Sequence, residues 1–106
     1  MSLYDENAEV LRELESRGRD LGRPHTIDLS HVFPDQSPAQ AFAEASTQAG
    51  FEANIEHVDR DDDPWDVTIS KVMLPTCENI TQAEERLNGL AQTYGGRSDG
   101  WGFFSA

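Results

Sequence analysis

Three histidines and one cysteine are the residues of this chain best suited to ligate a metal or act as a nucleophile. His25, His31, His57 and Cys77 do not occur at the short spacings that are typical of metal sites. Each histidine also falls in a segment whose apolar residues alternate as in a β-strand, which would scatter them over a sheet. The sequence therefore predicts no metal site.

The sequence also contains no recognisable catalytic motif. Cys77 stands beside Glu78 at the predicted start of a helix, with no histidine near it along the chain. No Gly-x-Ser-x-Gly motif and no phosphate-binding glycine loop occurs, and the abundant carboxylates single out no acid–base pair. We therefore expect a protein that is not an enzyme and that needs no cofactor.

Negative charge is the strongest feature of the composition. Twenty acidic residues against eight basic ones give a formal net charge of -12. This balance disfavours nucleic acid, whose binding depends on neutralising phosphates, and it disfavours anionic membranes. It permits a basic protein partner.

Half of the net charge lies in residues 52–66. The acidic residues of this segment are Glu52, Glu56, Asp59, Asp61, Asp62, Asp63 and Asp66, and Arg60 is the one base among them. One interpretation is a solvated hairpin that self-repulsion keeps soluble. The other is a docking surface for a partner rich in arginine or lysine.

The remaining composition predicts a single domain in a reducing cytoplasm. No apolar run approaches the roughly 20 residues that a membrane span needs, and no basic-then-apolar signal opens the chain. A single cysteine cannot form an internal disulfide.

Apolar periodicity predicts an α+β fold. Spacings of three and four predict helices, and alternation predicts strands. The helices are expected at 5–18, 37–49 and 79–94, and the strands at 25–33, 51–58, 65–73 and 101–104. After the first helix this order fits a ferredoxin-like βαββαβ antiparallel sheet with both helices on one face. Residues 1–22 would then be an N-terminal helix appended to a domain at 23–106. Val10, Leu11 and Leu14 would form the narrow apolar stripe of this helix.

The predicted sheet has consequences for its edges and its open face. The 51–58 strand and the C-terminal strand would be the two edges, where charge discourages pairing with another chain. RNA-recognition motifs share this strand order but display aromatic side chains on the open face. Here that face would instead show Asp28, Ser30, Asp66, Thr68 and Ser70. We therefore expect no direct binding of nucleic acid.

The C-terminal segment 94–106 combines glycines, an acid and a tryptophan. Gly95-Gly96 predicts the end of the last helix, and Asp99-Gly100 predicts a turn before a short final strand. Trp101 is either a core residue beneath the last helix or an apolar anchor for a partner, because tryptophan dominates binding hot spots. Asp99 either caps the turn or meets that partner.

On these residues the chain resembles the regulator of ribonuclease activity B family, small acidic bacterial proteins that inhibit ribonuclease E. The matching pieces are His25–Asp28, Gly50–Glu52, Trp65–Thr68, Tyr94–Gly96 and, as the most specific, Asp99–Trp101. The resemblance covers most of residues 1–104 and implies a ferredoxin-like fold.

Two features depart from the family pattern. Ser98 stands where the family usually has tyrosine, and the long acidic tail of well-studied members is not present after the motif. If that tail contributes to inhibition, we expect this chain to keep the fold without the activity.

The resemblance implies regulation by occlusion, with an acidic domain covering arginine-rich segments of ribonuclease E or another basic partner. The expected contact residues are Asp99, Gly100, Trp101, Glu52, Glu56, Asp59, Asp61, Asp62 and Asp63. The alternative is an oligomeric ferredoxin-like module that binds a small ligand and has no ribonuclease role. The sequence leaves the oligomeric state open.

Overall fold

The computed structural model describes residues 2–103, which form three helices and a four-stranded antiparallel sheet. The elements are α1 (Leu3–Ser16), β1 (His25–Phe33), α2 (Gln36–Gln48), β2 (Glu52–His57), β3 (Trp65–Met73), α3 (Cys77–Thr93) and β4 (Arg97–Phe103). The strand order is β2-β3-β1-β4. This confirms the α+β class and both predicted edge strands. Within these residues, no helix has the length and apolar character needed to span a bilayer.

One face of the sheet carries the hydrophobic core. The alternating residues Ile27, Leu29 and Phe33 of β1 are buried with Val67 and Ile69 of β3. The helices α2 and α3 cover them, chiefly through Phe42, Ala43, Ala83, Leu87 and Ala91. The alternation that predicted the strands therefore also selects the face on which the helices pack.

The other face of the sheet is polar. β1 and β3 place Asp28 opposite Ser70 and Ser30 opposite Thr68, and the Ser70 hydroxyl donates to Asp28 Oδ1 (2.6 Å). The three helices of residues 2–103 all lie on the opposite, core-bearing side. We call this polar surface the open face.

Helix α1 packs against α3, but not through the predicted stripe. It begins at Leu3, where the Ser2 hydroxyl accepts from the Asp5 amide (3.1 Å). Val10, predicted to pack, is 41% exposed, whereas Asn7 and Leu11 are buried. The prediction for Val10 was wrong because a buried polar cluster on α3 turns Asn7 inward.

The predicted Asp-Gly turn is also wrong, because Asp99 and Gly100 lie inside β4. Leu29 pairs with Trp101, and His31 pairs with Ser98. Asp99 and Gly100 therefore both lie opposite the single residue Ser30. This arrangement is a β-bulge. Gly100 has a φ of 94°, a conformation that favours glycine. The predicted strand residue Phe104 lies outside the described residues.

Candidate protein-interaction surface

The acidic loop between β2 and β3 is held together by its own arginine. Arg60 Nε donates to the carbonyl oxygens of Asp62 (2.9 Å) and Asp63 (3.1 Å). Its Nη2 donates to the Asp63 carbonyl and, at 2.7 Å, to Asp66 Oδ1. The one base in the segment therefore organises the loop.

A second arginine ties this loop to the opposite edge strand. Arg97 on β4 donates from Nη2 (2.9 Å) and Nε (3.1 Å) to Asp63 Oδ2. Because of this bridge, the loop and the β4 bulge line one shallow depression. Its lining residues are Val32, Arg60, Asp61, Asp62, Arg97 and Asp99. The structure thus brings together acids that are far apart along the chain.

Some carboxylates of this region form ion pairs that hold the loop in place, and others form none. Asp63 is partly buried and bound to Arg97. Within residues 2–103, no ion pair involves Asp59, Asp61, Asp62 or Asp99. We call the exposed residues Asp59, Asp61, Asp62 and Asp99 the acidic end. These four carboxylates are exposed to solvent, whereas Asp63 fixes the loop through Arg97.

Glu52 and Glu56 lie along β2 rather than in the loop. Both are exposed, and the register places Glu56 opposite Asp66 and Glu52 opposite Ser70. Four residues of strand span about 13 Å. Glu56 therefore adjoins the acidic end, and Glu52 lies toward the other end of the sheet.

Trp101 lies on the covered side of the sheet, away from the acidic end. It pairs with Leu29, packs against the core, and is partly buried. Its Nε1 donates to Asn7 Oδ1 of α1 (2.9 Å). The bulge at Gly100 thus lets neighbouring residues serve different surfaces, with Asp99 at the depression and Trp101 beneath α1.

Asn7 also anchors a buried polar network that the sequence prediction missed. Its Nδ2 donates to Thr81 Oγ1 (2.9 Å) and Glu84 Oε1 (2.7 Å). Exposure is 3% for Asn7, 7% for Thr81 and 6% for Glu84. The available signal was a polar residue at a stripe position on each helix, Asn7 before Leu11 and Glu84 before Leu87.

Burial raises the pKa of the Glu84 carboxyl, because its charged form loses solvation. The hydrogen bond from Asn7 opposes this rise in pKa, and the negative charge of Glu6 adds to it. The network therefore places an ionisable group in the interface between α1 and α3.

The remaining candidates for chemistry are dispersed. His31 is 1% exposed and packs on Phe42, with ring centroids 4.9 Å apart. Burial lowers the pKa of His31, and the nearby Asn88 side chain partly opposes this decrease. His57 is exposed beside Trp65, and Cys77 Sγ donates to the Tyr4 carbonyl (3.1 Å). Across residues 2–103, no three histidine, cysteine or acidic side chains are placed to hold a metal ion.

A comparison with known protein families matches nearly the whole chain. The model of the family described as regulator of ribonuclease activity B matches residues 4–103. The match runs from the first turn of α1 to the end of β4 and includes both the acidic end and the bulge. No curated protein matched the chain. The chain belongs to the regulator of ribonuclease activity B family.

Proposed function

We propose that this protein regulates a ribonuclease by binding a basic segment of the enzyme, without catalysing a reaction itself. Family membership supports a role in regulating ribonuclease activity. The observation that carries the binding mode is the convergence of Asp61, Asp62 and Asp99 on one depression. The partner implied by the resemblance is ribonuclease E, whose scaffold region is basic and binds RNA.

The mechanism we infer is occlusion. Carboxylates of the acidic end pair with arginines or lysines that would otherwise hold RNA phosphates. Attraction between opposite charges speeds the encounter and makes it sensitive to salt. Glu56 extends this surface along β2, and Glu52 extends it further. Gly100, Trp101 and Asp63 act by positioning, since they shape the bulge, the strand and the loop.

We also infer a ferredoxin-like topology and a cytoplasmic location. The order β2-β3-β1-β4, with α2 and α3 on one face, supports the ferredoxin-like plan with α1 as an added helix. A regulator of ribonuclease activity would meet its target where RNA is degraded, which supports the location.

The test compares two double variants with equal loss of charge. Asp61→Asn/Asp62→Asn changes the acidic end, and Glu9→Gln/Glu15→Gln changes exposed positions on α1. Each is titrated into a cleavage assay of labelled RNA by purified ribonuclease E that retains its basic region. Loss of two charge pairs, at up to about 1 kcal/mol each, predicts up to about 30-fold weaker inhibition by the first variant. The α1 variant should inhibit almost as the unmodified protein does.

Two outcomes would contradict the proposal. One is the absence of inhibition and of binding by the unmodified protein, and the other is equal weakening by both double variants. The solution mass at low and high salt supplies a further check. A dimer that persists at high salt would favour the alternative of an oligomeric ligand-binding module.

A further inference from the structure

Strand β2 has backbone groups that point away from the sheet. Within residues 2–103, β3 is its one neighbouring strand. The Val58 amide donates to the Pro64 carbonyl (2.8 Å), which identifies a hydrogen-bonded pair at the end of the β2–β3 ladder. Such pairs alternate in antiparallel sheets. Therefore Glu52, Asn54 and Glu56 direct their backbone groups to β3.

The intervening residues follow from the same alternation. Ala53, Ile55 and His57 direct their N–H and C=O groups to the outer edge, where another strand could pair with them.

The two sheet edges differ in their capacity to accept a strand. The register of β2 with β3 runs from Glu52 to His57 without a shift. In contrast, β4 is interrupted by the bulge at Asp99 and Gly100. Bulges distort an edge and interrupt regular pairing. Of the two edges, β2 is thus the one that presents a regular template.

A groove runs beside the outer edge of β2, beneath α2. It is lined by Gln40, Ala43, Glu44 and Thr47 of α2 together with Ala53 and Ile55 of β2. Ala53 and Ile55 are only partly buried. An added strand would therefore place every second side chain in this groove and the others on the open face.

The charge around this edge selects the kind of strand. No lysine or arginine occurs between Arg23 and Arg60, so α2 and β2 contain none. Glu52 and Glu56 lie on the open-face side of β2, and Glu44 lies in the groove. Like charges oppose pairing between two copies of this edge, whereas a cationic strand would meet the opposite charges of Glu44, Glu52 and Glu56.

We propose that the β2 edge receives an extended arginine- or lysine-rich segment of the partner as a fifth strand. The proposal rests on the proposed function and specifies how the basic segment is held. Basic side chains alternate along that segment and lie beside Glu52 and Glu56. The side chains between them are small or apolar and enter the groove beside Ala53 and Ile55.

The first test uses a synthetic peptide of about ten residues in which arginine alternates with valine. Its binding should slow hydrogen exchange at the amides of Ala53 and Ile55, because these donate to the added strand. Binding that leaves the exchange of both amides unchanged would overturn the proposal.

Substitution at Ala53 separates the backbone from the side chain. Ala53→Pro removes an outward N–H at an edge position that tolerates proline, and Ala53→Val keeps the N–H. We expect the proline variant to bind the peptide about tenfold more weakly than the valine variant, from one lost hydrogen bond. Equal affinity of two folded variants would overturn the proposal.

A charge-based pair of variants keeps the test valid should the proline variant fail to fold. Glu52→Gln/Glu56→Gln should weaken peptide binding about tenfold, whereas Glu9→Gln/Glu15→Gln should weaken it less than about twofold. Equal weakening by both pairs would show attraction without a defined site and would count against the β2 edge.

The ribonuclease assay separates this proposal from the one on which it rests. If the unmodified protein inhibits and both Ala53 variants inhibit equally, the fifth-strand proposal fails and the proposed function stands. If instead the peptide slows hydrogen exchange at the Ala53 and Ile55 amides of an unmodified protein that inhibits no ribonuclease, the edge site stands and the proposed function fails.

Discussion

At the scale of single residues, Gly96 shows how closely the chain passes its own core. It lies between α3 and β4, where a Cβ atom would overlap the ring of the fully buried Phe33. Position 96 therefore requires glycine, because any side chain would collide with the Phe33 ring. Gly100 is required for its φ angle instead, since nothing lies within 4 Å of a Cβ built on it.

Gly96→Ala should lower the free energy of unfolding by about 1–3 kcal/mol, because the added methyl overpacks the core at Phe33. Gly89→Ala is the matched control, since a Cβ at this position on α3 meets nothing within 4 Å. That control should raise stability by up to about 1 kcal/mol through helix propensity. Urea unfolding measures both, and equal stability of the two variants would refute the packing argument.

His31 makes the stability of the fold depend on pH. Burial lowers its pKa in the folded protein, whereas the unfolded chain titrates near 6.5. Above that pH neither state binds a proton at this site. Below it the unfolded chain gains a proton first, so stability falls as pH decreases from 6.5 towards the folded pKa.

His31→Leu should flatten this dependence, because leucine does not titrate. Below the unfolded pKa, the slopes of unfolding free energy against pH should differ between the two proteins by at most about 1.4 kcal/mol per pH unit. Urea unfolding at a series of pH values gives the slopes. Ile27→Val, at a fully buried position about 13 Å along β1 from His31, should lower stability at every pH without changing the slope. An unchanged slope in His31→Leu would disprove the assignment.

At the scale of elements, α1 is fixed largely by polar contacts. Asn7 receives a hydrogen bond from Trp101 on β4 and donates to Thr81 and Glu84 on α3. One side chain thereby joins three elements. Buried polar groups of this kind are costly when one partner is lost.

Trp101→Phe should therefore destabilise the protein by about 1–3 kcal/mol, because Asn7 Oδ1 loses its buried donor. Trp65→Phe is a suitable control, since Trp65 is also partly buried and no side-chain hydrogen bond of its indole occurs within residues 2–103. Hydrogen exchange should show faster exchange of α1 amides in the first variant only. Unchanged α1 exchange in Trp101→Phe would show that this bond does not hold the helix.

At the scale of the whole molecule, self-repulsion is the dominant electrostatic property. The chain carries a net charge of -12, and the four arginine–carboxylate pairs within residues 2–103 offset few of its acids. Repulsion of this kind destabilises the compact state and is screened by salt.

The melting temperature should consequently rise when sodium chloride is increased from about 0.02 M to about 0.5 M, as the Debye length falls. Calorimetry or circular dichroism measures the shift. Glu9→Gln/Glu15→Gln should show a smaller rise, since it carries less charge. A melting temperature that falls over this range would mean that the attractive pairs outweigh the repulsion.

Local periodicity was enough to predict the elements of this fold. The strand His25–Phe33 was predicted with its observed bounds, and α3 was predicted within two residues at each end. Both follow from the spacing of apolar residues, which decides the buried face before any distant contact forms. The composition likewise determined the acidic character of the surface and the position of the acidic loop.

Tertiary structure alone decided how that acidity is arranged. The Arg97–Asp63 bridge joins residues 34 positions apart, and the Asn7–Trp101 bond joins residues 94 positions apart. No local pattern encodes either contact, and the Asp99-Gly100 bulge depends on pairing with β1. Local patterns along the chain specify which elements form and how much charge they carry. Long-range pairing decided which carboxylates meet, because contacts between distant residues exist only once the sheet has assembled.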